Sequence, residues 1–193
     1  MPVFERELMN KMYTPTPYLF GRMFSHVLLQ IFSPILMSLI LYFGLGADNT
    51  FENFMAFVLV ALEVNLIGCF VGYFCGVAFK SSDAARQTGT LLMIIFHLLS
   101  GGLSNPAAVN PFINGLQYAS PNRYSVEMFF RVITYNSPIF CDSCPMTITQ
   151  VEESIGFTLG PSICYPVLTG FIFFFMGLAW FTIVQKNKKF VTG

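Results

Sequence analysis

The side chains of this sequence with chemistry to offer are a carboxylate inside an apolar run (Glu63), two cysteines at Cys-x-x-Cys spacing (Cys141 and Cys144) and two histidines (His26 and His97). A Cys-x-x-Cys pair can cycle between dithiol and disulfide, but a redox site of that kind needs a strand–helix–strand frame around it. Cys141-Asp-Ser-Cys144 lies instead in a polar loop, where a structural disulfide, within or between chains, is the expected use. A metal there would need two more ligands, and both histidines fall inside helical stretches, so no metal site is expected. No nucleophile, base and orienting acid come together, which leaves no catalytic site to propose. Glu63 sits near the middle of an apolar run, where a charge costs about 2.5–3.5 kcal/mol on insertion scales. It must face protein or water, or hold its proton. Two roles are open to it: a neutral acid bonded to another helix, or a site for substrate or protons.

Leu99-Ser100-Gly101-Gly102 spells LSGG, which resembles the signature that contacts ATP in ABC ATPases. A phosphate-binding turn needs backbone N–H groups at the start of a helix, and this one follows the end of the apolar run 91–99. The sequence holds no Gly-Lys pair, so no GxxxxGK[ST] phosphate loop can be built from it. The LSGG string is read as coincidence, and ATP and magnesium are not expected in this chain.

The elements that position these residues follow from composition. Hydrophobic residues make up 54% of the 193 and charged ones only 10%, where a water-soluble domain has about a quarter charged. Twenty-three phenylalanines and helices apolar on every side point to lipid as the solvent. Four long apolar stretches, 18–45, 54–79, 84–103 and 161–184, predict four membrane spans of about 20 residues or more. Pro34 near the middle of the first predicts a kink, because it deprives the Gln30 carbonyl of its helical partner. Between the third and fourth stretches, residues 104–160 are broken by Pro106, Pro111, Pro121 and Pro138. The apolar pieces there are too short to cross and predict interfacial or re-entrant helices. The fold class expected is all-α and polytopic.

Charge fixes the orientation. Arg6, Lys11, Arg22, Lys80, Arg86, Lys186, Lys188 and Lys189 fall on one side of such a membrane, and only Arg123 and Arg131 on the other. The positive-inside rule makes the first side cytoplasmic, with both termini there and 104–160 outside or in a lumen. The sequence has ten acidic and ten basic residues and no basic stripe, which excludes nucleic acid as a partner. Gly68, Gly72 and Gly76 recur every fourth residue on the second span, with Asn65 on the same face. Small residues at that spacing let a second helix approach closely. They serve either packing within one subunit or a dimer seam or conduit wall.

Three segments resemble the membrane half of the ABCG (White-type) ABC transporters, the ABC-2 type membrane domain. Phe4-Glu5-Arg6-Glu7 with Met12-Tyr13 and Tyr18 is similar to that family's F-x-R-E…Y…Y segment. Ser100-Gly101-Gly102 with Asn105-Pro106 resembles the turn at the outer end of its fifth helix. Leu116-Gln117-Tyr118-Ala119-Ser120-Pro121-Asn122-Arg123-Tyr124 is close to its L-Q-Y-x-S-P-x-R-Y, the most specific of the three.

The resemblance implies that the four spans are helices three to six of a six-helix domain, preceded at 1–16 by a cytoplasmic coupling helix. Phe4, Glu5, Arg6, Glu7 and Lys11 would then dock on a nucleotide-binding domain, which would hold the ATP and magnesium. A second transporter half, identical or not, would complete a dimer, and membrane lipids would surround it. Substrates would be lipids, sterols or amphipathic compounds, faced by Met93, Ile94, Phe96 and His97 on successive turns inward from Ser100-Gly101. Gly102-Leu103 departs from the bulky pair that plugs the outer exit in the family. The ATPase domain and the first two helices of the family do not match anything here, so a fragment of a longer transporter is the expectation. A small secondary transporter or channel using Glu63, or a non-transporting four-span scaffold, are the rival readings.

Overall fold

The computed structural model describes residues 15–46, 50–79, 81–101, 115–134 and 148–192. Every regular element among them is helical. The first, α1 (Pro15–Gln30), and the second, α2 (Phe32–Gly44), are one apolar run interrupted at Ile31. Ile31 keeps helical angles (φ −64°, ψ −32°) and its N–H still reaches Val27 O at 3.1 Å. The interruption falls where Pro34 has no N–H to donate to the Gln30 carbonyl. Gly46 at φ +67° then ends α2 in the left-handed conformation that glycine adopts without strain.

The central helix is α3 (Phe51–Ala78), 28 residues and so about 42 Å long. Thr50 precedes it in extended backbone and accepts a 2.9 Å bond from Asn53 Nδ2, while Glu52 complements the positive end of the helix dipole. At the other end Lys186 Nζ donates to Val77 O, placing a cation on the orphan carbonyls of the last turn. α4 (Ser82–Leu98) starts from Ser81 with the exposed pair Asp83–Arg86 and turns apolar after Thr90. α5 (Pro121–Thr134) and α7 (Pro161–Thr192) both open on proline, whose missing N–H costs nothing at a first helical position. α6 (Ile148–Ile155) is two turns long. It stops in a Schellman turn: Gly156 has φ +79° and Phe157 N–H bonds Glu152 O at 2.8 Å.

The core is a seam between α3 and α7. Val60, Ile67, Val71 and Cys75 of α3 meet Cys164, Leu168, Phe175, Ala179 and Ile183 of α7, spaced by fours and sevens so that each set stays on one face. α5 and α4 pack on further faces of α3, and Tyr42, Phe57 and Val132 form a smaller core where α2, α3 and α5 meet. Outward faces are as apolar as inward ones. Leu29 is 77% exposed and Phe32 73%, which water would not tolerate across a whole helix bundle. Among the described residues three segments are long and apolar enough to cross a membrane: Phe20–Gly44, Phe51–Ala78 and Pro161–Lys186. At 17 residues with a polar first turn, α4 is shorter than these. The described residues are those of an integral membrane protein whose regular elements are all helical.

Candidate functional site

α4 is held by its far end. The last carbonyls of a helix lack partners of its own, and those of α4 find theirs nearby. Ile95 O takes the Leu99 N–H at 3.0 Å, and His97 O takes the Ser100 N–H at 3.2 Å and the Ser100 hydroxyl at 2.6 Å. Phe96 O takes the Ser120 hydroxyl from across the chain at 2.8 Å, a helix cap supplied by another element. Next to it, Asn122 Nδ2 lies 2.9 Å from His97 Nδ1. Ser120 and Asn122 are both buried, at the turn where one helical step, 115–117, runs into α5. Tyr124 locks that turn by donating its hydroxyl to Tyr118 O at 2.8 Å.

The residues expected to face substrate therefore share one short stretch but not one environment. Ile94 is exposed and belongs to an apolar ridge with Leu91, Ile95 and Leu98, positions one turn apart along α4. Met93 turns toward α3, where its Cε would lie 3.5 Å from a Cβ on Gly68. Phe96 is half-buried and meets the Phe175 ring edge-on at 6.2 Å. His97 is exposed, with its Nδ1 edge engaged.

The same α5 turn leads into a buried ionic cluster that sequence reasoning did not single out. Arg123, Glu127 and Arg131 recur every fourth residue and so stack on one face of α5. Glu127 is fully buried, 3.9 Å from Arg123 Nη2 and 3.2 Å from Arg131 Nη2. Arg123, 1% exposed, donates to Gly156 O and lays its guanidinium over the Phe157 ring, 5.0 Å from the centroid. Arg131 adds 3.2 Å to Glu152 and 3.3 Å to Phe157 O. Burial pushes the Glu127 carboxyl above its ordinary value, against the pull of the Arg123 and Arg131 charges. The cluster pins the α6–α7 connector to α5, so α5 joins that connector to the C-terminal end of α4.

Two other features were legible beforehand. On α3 the stripe Gly68, Gly72 and Gly76 floors a groove of about 650 Å³ against α4 and one of about 280 Å³ toward Arg22, His26 and Tyr73. A methyl added to Gly72 or Gly76 would meet nothing within 4 Å. Asn65 lies on a separate groove, beside α2 and α5. Glu63 accepts a 2.9 Å bond from the Thr169 hydroxyl of α7 at Oε1, while Oε2 is enclosed without a partner. Among the described residues no three His, Cys, Asp or Glu side chains gather as metal ligands do. Phe4, Glu5, Arg6, Glu7 and Lys11, Gly102 and Leu103, and Cys141 and Cys144 lie outside the described residues.

Comparison with known proteins agrees with this architecture. Residues 1–134 match the family described as ABC-2 type transporter. The chain is 28% identical over 148 residues to the broad substrate specificity ATP-binding cassette transporter ABCG2 of Mus musculus, covering 74% of this chain and 21% of that protein. It is 26% identical over 162 residues to ABCG2 of Sus scrofa (81% and 24%), and 25% identical over 128 residues to the ABC-type transporter cns4 of Cordyceps militaris (65% and 9%). The chain thus spans about a fifth of the length of the mouse relative. With a family match over more than half of its residues, this chain belongs to the ABC-2 type transporters and is an ABCG-type membrane domain.

Proposed function

We propose that this domain forms part of the translocation pathway of an ATP-driven exporter that moves lipids, sterols or amphipathic small molecules. It has no catalytic chemistry of its own. ATP and magnesium bind a nucleotide-binding domain outside these 193 residues, which docks on Phe4, Glu5, Arg6, Glu7 and Lys11. Two such halves, identical or not, rock against each other to give alternating access. α4 crosses as a fourth span together with residues beyond Leu98, so both termini lie in the cytoplasm and α5 and α6 on the far side.

The observation that carries this reading is the exposed ridge of α4, Leu91, Ile94, Ile95 and Leu98, tethered at its outer end by Ser120 and Asn122. An apolar wall with one polar group at its end suits an amphipath. Glu63, bonded to Thr169, serves instead to tie α3 to α7. The test is cysteine accessibility in the assembled exporter. A thiol placed at Ile94 should be protected from a membrane-permeant maleimide by saturating substrate, whereas one at Leu29 on the lipid face should not. Equal labelling at Ile94 with and without substrate would remove α4 from the pathway. Charge reversal at Arg6 should abolish substrate-stimulated ATP hydrolysis while leaving membrane insertion intact; unchanged stimulation would rule out docking there.

A further inference from the structure

His97 Nδ1 lies 2.9 Å from two neighbours at once, the Met93 carbonyl oxygen and Asn122 Nδ2. One nitrogen cannot serve both. With a proton it donates to Met93 O; without one it accepts from the Asn122 amide. The two neighbours do not need it equally. Met93 O lies inside α4, where the backbone N–H four residues on, that of His97 itself, already gives it one donor. Asn122 is buried, 6% exposed, and its Nδ2 points at His97. A proton on Nδ1 would set donor against donor and strand a buried amide N–H, which disfavours that tautomer by roughly tenfold or more.

We propose that Asn122 fixes neutral His97 as the Nε2–H tautomer, so that the outer end of α4 presents a single N–H donor at the head of an otherwise apolar wall. The ligand class this selects is an amphipath whose polar end carries an acceptor oxygen: a hydroxyl, carbonyl or ester. This last step rests on the reading of α4 as a pathway wall. Asn122 is a positioning residue, since it acts through His97. Apolar sites with few polar groups draw their selectivity from such groups, because a buried donor left without an acceptor is costly.

The chain has two histidines, His26 and His97, so selective labelling resolves the question. In ¹⁵N-histidine chain in phosphatidylcholine nanodiscs at neutral pH, with His26→Phe to assign the signals, His97 Nδ1 should resonate as an unprotonated acceptor nitrogen and Nε2 as a protonated one. Asn122→Leu should shift the populations toward protonated Nδ1, whose remaining neighbour is Met93 O. A protonated Nδ1 in the unsubstituted chain would mean that the Asn122 amide is turned the other way and would overturn the proposal. The second arm uses the assembled exporter and a matched pair of amphipaths, one with a terminal hydroxyl and one with a methyl in its place. Asn122→Leu and His97→Leu should each reduce the preference for the hydroxylated compound by roughly fivefold, the factor one neutral hydrogen bond carries. If the tautomer is as stated but both variants keep the preference, the donor does not meet substrate and the selectivity claim falls. If His97→Leu and Ile94→Trp both leave all transport untouched, the pathway reading fails while the tautomer result stands.

Discussion

Replacing Arg123 with Met should unfold the α5–α6 end of the bundle at markedly lower temperature, and the pH at which this is measured should matter. The substitution keeps an apolar stem of similar length but removes three contacts: the bond to Gly156 O, the stacking on Phe157 at 5.0 Å, and the 3.9 Å pairing with Glu127. Removing one member of a buried ion pair costs about 3–5 kcal/mol, chiefly because the other charge stays buried. Here Arg131 remains 3.2 Å from Glu127 and relieves part of that, so the lower end of the range, about 3 kcal/mol, applies at neutral pH. Arg123→Met combined with Glu127→Leu should recover much of the loss, since no carboxylate is then left alone and Arg131 keeps Glu152 and Phe157 O. The free cysteines Cys75 and Cys164 are buried, so a thiol-reactive fluorophore reports melting directly.

The pH dependence follows from Glu127. Its folded-state pKa is raised above the ordinary 4.5 by burial and is held back by Arg123 and Arg131. A raised carboxyl favours the folded state fully below pH 4.5, and that benefit disappears as pH rises through the folded value. Without Arg123 the value rises further, so the variant suffers most at neutral pH and least below pH 4.5, where Glu127 is protonated in both states. Equal melting of variant and parent at pH 7, a gap that widens in acid, or a double variant that costs the sum of the two singles would each refute this account of the cluster.

Three further outcomes are expected. Glu63→Gln keeps an acceptor for the Thr169 hydroxyl, so melting and the pH profile of export should not change; a displaced pH profile would make Glu63 a proton site instead. A methyl at Gly72 meets nothing within 4 Å, so Gly72→Ala should leave melting within about 0.5 kcal/mol, while lowering association with any helix that packs on the stripe; loss of the isolated fold would show that the stripe is packed internally. Lys186→Met removes the cation from Val77 O at the end of α3 and should cost about 1 kcal/mol in the same thiol-exposure melt, with Lys186→Arg largely restoring it.

The parts of this fold that the sequence makes legible are those fixed by lipid and by single residues. Long uncharged runs have few structures open to them in a bilayer, so the helices around Leu29, Val60 and Leu168 could be read directly. The interruption at Ile31 falls one turn before the missing N–H at Pro34. The length of α4 was harder, because Ser82 to Arg86 is polar and its far end is fixed by tertiary contact at Phe96 and His97 as well as by the local Ser100 cap. Hardest was the α5 cluster. Arg123, Glu127 and Arg131 show helical spacing to any reader, but on an exposed helix that spacing means only a solvated ladder of weak ion pairs. What turns it into a buried lock is the Schellman turn at Gly156, more than 30 residues away, which aims a carbonyl and the Phe157 ring at Arg123.

That long-range dependence bears on how α5 can act. An element joined to its neighbours by apolar packing alone can slide in small steps, whereas one joined by buried hydrogen bonds must keep them or break them together. α5 is joined to α4 by the Ser120 and Asn122 bonds and to the α6–α7 connector by the Arg123 and Arg131 bonds. Displacing the C-terminal end of α4 alone would strand the Phe96 carbonyl and the Asn122 amide in a buried place, at about 1–3 kcal/mol each. Carrying α5 and the connector along strands neither. The lower-energy motion of this end of α4 is thus a rigid-body one that includes α5 and the start of α7, absorbed where these elements pack on α3.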